Sequence, residues 1–367
     1  MMRAPNSLPI VKKSTSLNRL GPGGARAVVR RGAAIGRFRL RWLSRLGRGL
    51  LVAVLLLFGS GVLYESIASR GDAQRFPVPG QLVDVDGHLM HLDVHGSGGP
   101  TVVLESGLGE TSLDWRLVQP ELATFSRVVA YDRAGLGWSE PGPQPRTAGR
   151  IADELYTALH NAGIPGPYVL VGHSNGAKDA RIFASRYRDE MAGLVIVDGR
   201  SEDMDAFYGP EGMQSDLTKV RILYGILRVL DGTGALRLFG PALFAGQSAG
   251  MAALGPEGLA AYAHFAGSAS TAETSIAEYA AWQQSNQELA EAGTWLGDLP
   301  LTVIRHGKPL PTPAEETAWQ AAQAKQAALS TAGRLEVAER SGHGIQLDQP
   351  ELVVAAVHEV TQASRGR

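Results

Sequence analysis

From about residue 81 onward, short apolar runs alternate with longer stretches of helical period. Leu82–Val85 and Leu89–Val94 read as two strands joined by an Asp86-Gly87 turn. Compact runs at Thr101–Glu105, Arg127–Tyr131, Tyr168–Val171 and Leu194–Val197 predict four more strands. Between them, Trp115–Phe125, Thr147–Ala162 and Ala177–Tyr187 carry apolar residues three and four apart and predict helices. Residues 201–297 break the alternation: they are rich in Ala, Gly and Leu, with no strand pattern. It resumes with Leu301–Ile304, Ala314–Leu329, Leu335–Ala338 and Pro350–Thr361. Such alternation predicts an α/β class fold, a mostly parallel central sheet with helices on both faces, here with a helical insertion after the sixth strand.

The N-terminal part follows another pattern. Gly49–Tyr64 is a run of sixteen residues without a charge, centred on Leu50–Phe58. As a helix it covers about 24 Å, short of a bilayer core of about 30 Å unless Arg48 and Arg70 snorkel. Residues 1–48 hold twelve of the 35 basic residues and none of the 36 acidic ones, which leaves the remainder at a net charge of −13. The pattern predicts a basic cytoplasmic arm over 1–48 and a transmembrane signal anchor over 49–67, with the rest outside the cytoplasm. The rival expectation is a cleaved export signal, for which Ser66-Ile67-Ala68 offers small residues at the cleavage spacing. Residues 71–80 read as a linker, 81–200 with 298–363 as the core, and 201–297 as a cap. The lipid bilayer is thus one expected partner. Nucleic acid is not, because the acidic body lacks the clustered positive charge that phosphate binding needs. The chain has no cysteine, which excludes disulfides, a thiolate zinc site and a cysteine nucleophile.

Two segments match G-x-S-x-G. Gly172-His173-Ser174-Asn175-Gly176 follows a strand run and opens a helical one, the context in which a serine is presented on a strained turn at the edge of a sheet. Gly246-Gln247-Ser248-Ala249-Gly250 has no strand before it. Ser174 is therefore the candidate nucleophile. A serine hydroxyl needs a base, and His343 is the candidate, in the loop Ser341-Gly342-His343-Gly344 after the last strand. His173 is expected to point away from the serine. His88, His91 and His95 lie on one strand at spacings that alternate between its faces, which argues against a shared metal.

With these motifs the chain resembles the α/β-hydrolase family over roughly residues 80–363. Glu105-Ser106-Gly107-Leu108-Gly109 is similar to that family's oxyanion loop, Tyr131–Ser139 to its loop after the fourth strand, Gly172–Gly176 to its nucleophile elbow and Ser341-Gly342-His343 to its histidine loop. The resemblance implies the α/β-hydrolase fold. It also implies an oxyanion hole from the amides of Leu108 and Asn175, and a bracing role for Asp132 and Arg133 in the loop after the fourth strand. In most relatives the acid follows the seventh strand, but Arg305–Pro311 contains no carboxylate. Asp198, at the end of the sixth strand, is where some members place it. Glu315, Glu316 and Asp203 are alternatives, although Thr312-Pro313-Ala314-Glu315 already reads as a capping box.

The function implied is that of a serine hydrolase acting on a small-molecule carboxylic ester, needing no cofactor and no metal. The apolar runs Ile222–Leu230 and Leu236–Phe244 in the cap suggest an acyl or aromatic substrate, though the first could equally be core. A lyase, a carbon–carbon hydrolase or a cofactor-free haloperoxidase on the same fold is the alternative. A non-enzymatic, membrane-tethered binding protein is another. Dehalogenase and epoxide-hydrolase chemistry are disfavoured, because in this fold they use an aspartate where Ser174 stands.

Overall fold

A computed structural model describes residues 46–293 and 295–365. The chain divides into two compact units, residues 1–59 and 60–367. The first is described only from Leu46, so the basic arm lies outside the described residues except for Leu46–Arg48. Those described residues are helical. They open a helix, α1 (Leu46–Arg75), that is long and apolar enough to cross a membrane. The expected linker is helical over its first half, because Asp72 is buried against Arg237 and the chain turns away only after Arg75.

The second unit is built on one eight-stranded sheet. Its strands are β1 (Gln81–Val85), β2 (His88–His95), β3 (Thr101–Glu105), β4 (Val128–Tyr131), β5 (Tyr168–His173), β6 (Met191–Val197), β7 (Leu301–His306) and β8 (Gly333–Ala338). They lie in the order β1-β2-β4-β3-β5-β6-β7-β8. The two pairings of β2 are antiparallel and the others parallel. Asp86 and Gly87 both take positive φ, the backbone that a tight hairpin between β1 and β2 requires. Strand β5 is buried at every position, so its residues form a continuous apolar run instead of an alternating one.

Helices α3 (Ala148–Asn161) and α4 (Gly176–Arg186) bury Leu155, Leu159, Ile182 and Phe183 against one face of the sheet. On the other face, α2 (Gln119–Leu122) and α13 (Pro350–Arg365) bury Leu122, Val353 and Val357. The single helix expected over Trp115–Phe125 is instead a 3-10 turn, Ser112–Trp115, followed by the short α2. A capping box between Thr111 and Asp114 starts the turn, and Pro120, which has no N–H, sits in the first turn of α2.

Between β6 and β7 the described residues form six helices: α5 (Glu202–Gly232), α6 (Ala235–Ala245), α7 (Ala249–Ala253), α8 (Gly255–Gly267), α9 (Ala269–Ala280) and α10 (Trp282–Ala292). Helix α5 is kinked where Gly209 takes φ +64° ahead of Pro210. After β7, α11 (Pro313–Ala327) and then the short α12 (Ile345–Asp348) complete the unit. The first apolar run of the cap divides between core and surface. Tyr224 is buried, whereas Ile222, Leu223, Ile226 and Val229 are exposed.

Cap and core are joined by Arg133, a fully buried guanidinium in the loop after β4. Its Nη1 donates to Glu105 Oε1 of β3 at 2.7 Å, while Nε and Nη2 donate to the two oxygens of Glu278 of α9 at 2.9 and 3.0 Å. It also donates to the carbonyls of Ser106 and, at 2.7 Å, Gly107. Removing one partner of a buried ion pair leaves uncompensated charge and costs about 3–5 kcal/mol. Arg133→Met strands two carboxylates, so the expected loss of unfolding free energy is in that range, read from urea denaturation. A loss below about 1 kcal/mol, the value of an exposed pair, would show that Arg133 does not hold cap to core.

Candidate active site

Register brings the carboxyl ends of β5, β6 and β7 level. His173 stands beside Val197, and Val197 beside Ile304. Ser174 leaves β5 with φ +50° and Asp198 leaves β6 with φ +46°, positive values that side chains other than glycine seldom adopt. Hydrogen bonds hold both turns: Ser174 N donates to Val197 O at 3.1 Å and Asp198 N to Ile304 O at 2.7 Å. The elbow needs both of its motif glycines. A Cβ on Gly176 would come within 2.4 Å of Ser106 O, and one on Gly172 within 2.9 Å of Ala177 Cα.

Ser174, His343 and Asp198 form one hydrogen-bonded chain. Asp198 Oδ2 lies 2.7 Å from His343 Nδ1, and His343 Nε2 lies 2.8 Å from Ser174 Oγ. A carboxylate only accepts, so Nδ1 carries the imidazole proton and Nε2 is left to accept from the serine hydroxyl. Burial opposes ionisation of Asp198, but hydrogen bonds from His306 and His343 outweigh it and hold the carboxyl far below the usual range. The arrangement can move the serine proton onto His343 while a fixed negative charge stabilises the imidazolium.

Other candidates from the sequence lie elsewhere. Ser248 caps α7, its hydroxyl accepting from Met251 N at 3.2 Å. Glu315 receives the Tyr208 hydroxyl, and Glu316 accepts from His306 Nε2 at 3.1 Å. Thr312 caps α11 through Glu315 N, so half of the expected capping box forms. Asp203 pairs with Lys325. The three histidines of β2 have separate partners, Glu154, Asp132 and Asp93. Asp132 accepts from the amides of Ser112 and Trp138, which ties the loop after β4 to the loop after β3. Among the described residues, the amides of Leu108 and Asn175 have no acceptor.

Three groups around this chain are not evident from sequence reading. His306, the last residue of β7, occupies the strand end where relatives carry the acid. Its Nδ1 donates to Asp198 Oδ2 at 2.9 Å, and Trp319 Nε1 donates to Asp198 Oδ1, also at 2.9 Å. His173 turns away from Ser174, but it is not idle. Its Nδ1 donates to Glu110 Oε2 at 2.8 Å and its Nε2 to the carbonyl of His343 at 3.0 Å. Glu110 Oε2 also accepts from Gly107 N at 2.7 Å, so one carboxylate joins the loop after β3 to the loop that carries His343. The absence of a carboxylate after β7 was the one sequence signal that pointed to a substitute there.

The sequence profile for the alpha/beta hydrolase fold matches residues 100–350. The chain belongs to the α/β-hydrolase family. This member is 26% identical over 278 residues to the uncharacterised protein YqjL of Bacillus subtilis, covering 75% of this chain and 89% of that protein. Several further curated relatives are matched over less than half of their own length. Among solved structures, a thermophilic esterase from Thermogutta terrifontis superposes with a TM-score of 0.55 at 22% identity, covering 77% of this chain and 98% of the esterase. The epoxide hydrolase CorEH does so with a TM-score of 0.55 at 21% identity, covering 76% and 97%. At these identities the structural likeness concerns the fold.

The shortest contacts of both ring nitrogens of His173 are to acceptors, with Gln346 Nε2 a longer contact of Nδ1 at 3.2 Å, and this favours the imidazolium. Burial opposes that charge, but Glu110 and the His343 carbonyl outweigh burial and raise His173 from 6.5 to about 9. A raised folded value means stabilisation that is complete below the unfolded value and lost as pH rises through the folded one. Unfolding free energy should therefore decline between about pH 6.5 and 9, by at most on the order of 3 kcal/mol. His173→Gln should lower stability at neutral pH and flatten that decline. An unchanged pH slope in the variant would show that His173 is not the titrating group.

Proposed function

We propose that this α/β hydrolase is a membrane-anchored serine hydrolase that cleaves carboxylic esters through an acyl-enzyme on Ser174. The observation that carries the reading is the unbroken chain from Asp198 Oδ2 through His343 to Ser174 Oγ, with contacts of 2.7 and 2.8 Å. Ser174 Oγ attacks the ester carbonyl as its proton passes to His343 Nε2. The carbonyl oxygen becomes an oxyanion and accepts from the amides of Leu108 and Asn175. His343 then gives the proton to the departing alkoxide, which leaves as the alcohol. Water attacks the acyl-enzyme with His343 again as base, releasing the acid and restoring the serine. A hydroxyl nucleophile suits acyl transfer.

The anchor reading rests on the apolar part of α1 behind a run of basic residues. The contacts of Glu65 support retention of the segment over cleavage after Ala68. Arg237 Nε donates to Glu65 Oε2 at 2.8 Å, a bond that such cleavage would remove from the folded protein. The catalytic domain then lies outside the cytoplasm, because the basic arm stays inside.

Ser174→Ala should abolish both fluorophosphonate labelling and hydrolysis of a p-nitrophenyl ester, while Ser248→Ala leaves both near the parent level. Persistent labelling of the Ser174→Ala protein would refute the nucleophile. Asp198→Asn should reduce turnover by about 10⁴-fold, the cost of losing the orienting carboxylate in a serine triad. Glu315→Gln should change turnover little, and the opposite ranking would move the acid to α11.

For the anchor, the full chain should remain with membranes through a carbonate wash, since salt and base release electrostatic attachment but not an inserted helix. Release of a chain whose N-terminus maps to Ser69 would instead identify a cleaved export signal.

A further inference from the structure

The outer faces of two cap helices are apolar and bare. On α5, Ile222, Leu223, Ile226 and Val229 are each 54–58% exposed. On α6, Leu238, Phe239 and Leu243 are 56–69% exposed. Positions 222, 226 and 229 fall on one stripe of α5, and 239 and 243 on one stripe of α6. Large apolar side chains grouped this way on a soluble surface mark an interaction site. The opposite sides of the same helices already serve the cap's own core, where Leu236 and Phe244 are buried and Leu227 and Leu230 pack against them.

The charges around the patch are mixed, and most of the cations are paired. Lys219 pairs with Asp216, Arg228 with Asp231 at 3.8 Å, and the mostly buried Arg237 with Glu65 and Asp72. Arg221 and Arg228 are themselves exposed on α5. An apolar stripe with exposed arginines on the same helix suits a helix lying in the headgroup region of a bilayer, where those arginines can meet anionic lipid.

Within the same unit, the end of α1 is fastened beside this patch. Arg237 Nη1 and Nη2 each donate to the Asp72 carboxylate at 2.7 Å, and Arg237 also binds Glu65. Gly61 and Gly234 allow close approach: an added Cβ would come within 2.5 Å of Thr233 O and 2.7 Å of Tyr64 Cδ1, respectively. Leu238 lies one helical turn beyond Gly234. Ser60 follows Gly59 in the chain, so the apolar run continues covalently into the second unit.

A cavity of about 330 Å³ lies behind the patch. Leu223 and Leu243 belong to both the exposed patch and the cavity wall, and Leu108 and Gly109 of the loop after β3 also line it. The cavity thus joins the patch to the loop whose Leu108 amide is the assigned oxyanion donor.

We propose that the outer face of α5 and α6 is seated in the headgroup and outer acyl region of an anionic bilayer, so that the cavity admits an acyl chain directly from the lipid. This rests on the anchor reading of α1, and the test separates the two. The chain has no cysteine, so single environment-sensitive fluorophores can be attached at Ile226→Cys and Phe239→Cys of the full-length protein. Val54→Cys in the anchor run and Gln362→Cys on α13 serve as references. The protein is placed in nanodiscs of mixed phosphatidylglycerol and phosphatidylcholine containing doxyl-labelled lipid. Quenching at Ile226 and Phe239 should approach that at Val54 and exceed that at Gln362 severalfold, and it should weaken in phosphatidylcholine alone while that at Val54 persists. Strong quenching at Val54 with Ile226 and Phe239 no more quenched than Gln362 would overturn the docking surface and leave the anchor standing. No quenching at Val54 would overturn the anchor, and if Ile226 and Phe239 are also unquenched the docking surface falls with it.

Discussion

The buried guanidinium of Arg133 is the constraint on which the rest of the second unit depends. Two carboxylates, Glu105 on β3 and Glu278 on the cap helix α9, are buried with it, and none of the three charges could remain there without the others. The guanidinium must lie between them, which brings its remaining donors to the carbonyls of Ser106 and Gly107. The loop that presents the Leu108 amide is thereby shaped by an electrostatic requirement of the core. The cap is fastened to that loop by the same group.

The turns at Ser174 and Asp198 impose a second constraint. Ser174 and Asp198 both leave their strands through positive φ, a backbone state that persists only when surrounding contacts over-determine it. Ser174 N is held by Val197 O and Asp198 N by Ile304 O, so three adjacent parallel strands lock each other's ends. His306 adds a second imidazole to Asp198, with Glu316 behind it. The carboxylate is thus oriented from two sides before His343 meets it.

Much of this was legible in the sequence where the information is local. The strand runs, the helical insertion and the serine's strand-to-helix context each depend on neighbouring residues, and the sheet follows them to within a few residues. Trp115, Val118 and Leu122 show the limit. They sit at helical spacing and all are buried in one cluster, yet they lie on a turn and a separate short helix. Periodicity reports which side of the chain is buried, not that the helix is continuous. Asp198 as candidate acid came from the missing carboxylate after β7. Its partners His306 and Trp319, 108 and 121 residues away, come together only when the sheet forms. The Glu110–His173 pair spans 63 residues and was equally out of reach.

The root of the cap begins directly after Asp198, the proposed acid. Gly199 O accepts from Gln323 and Gln326 of α11 at 2.7 and 2.9 Å, and Arg200 N donates to Ser174 O at 2.9 Å. The backbone on which the insertion grows is therefore moored to the core before the first cap helix starts. A change to the helices between 202 and 292 reaches the core through several buried contacts: Glu278 with Arg133, Asp205 and Asn286 with Lys178 on the helix after Ser174, and Asp205 with Arg200.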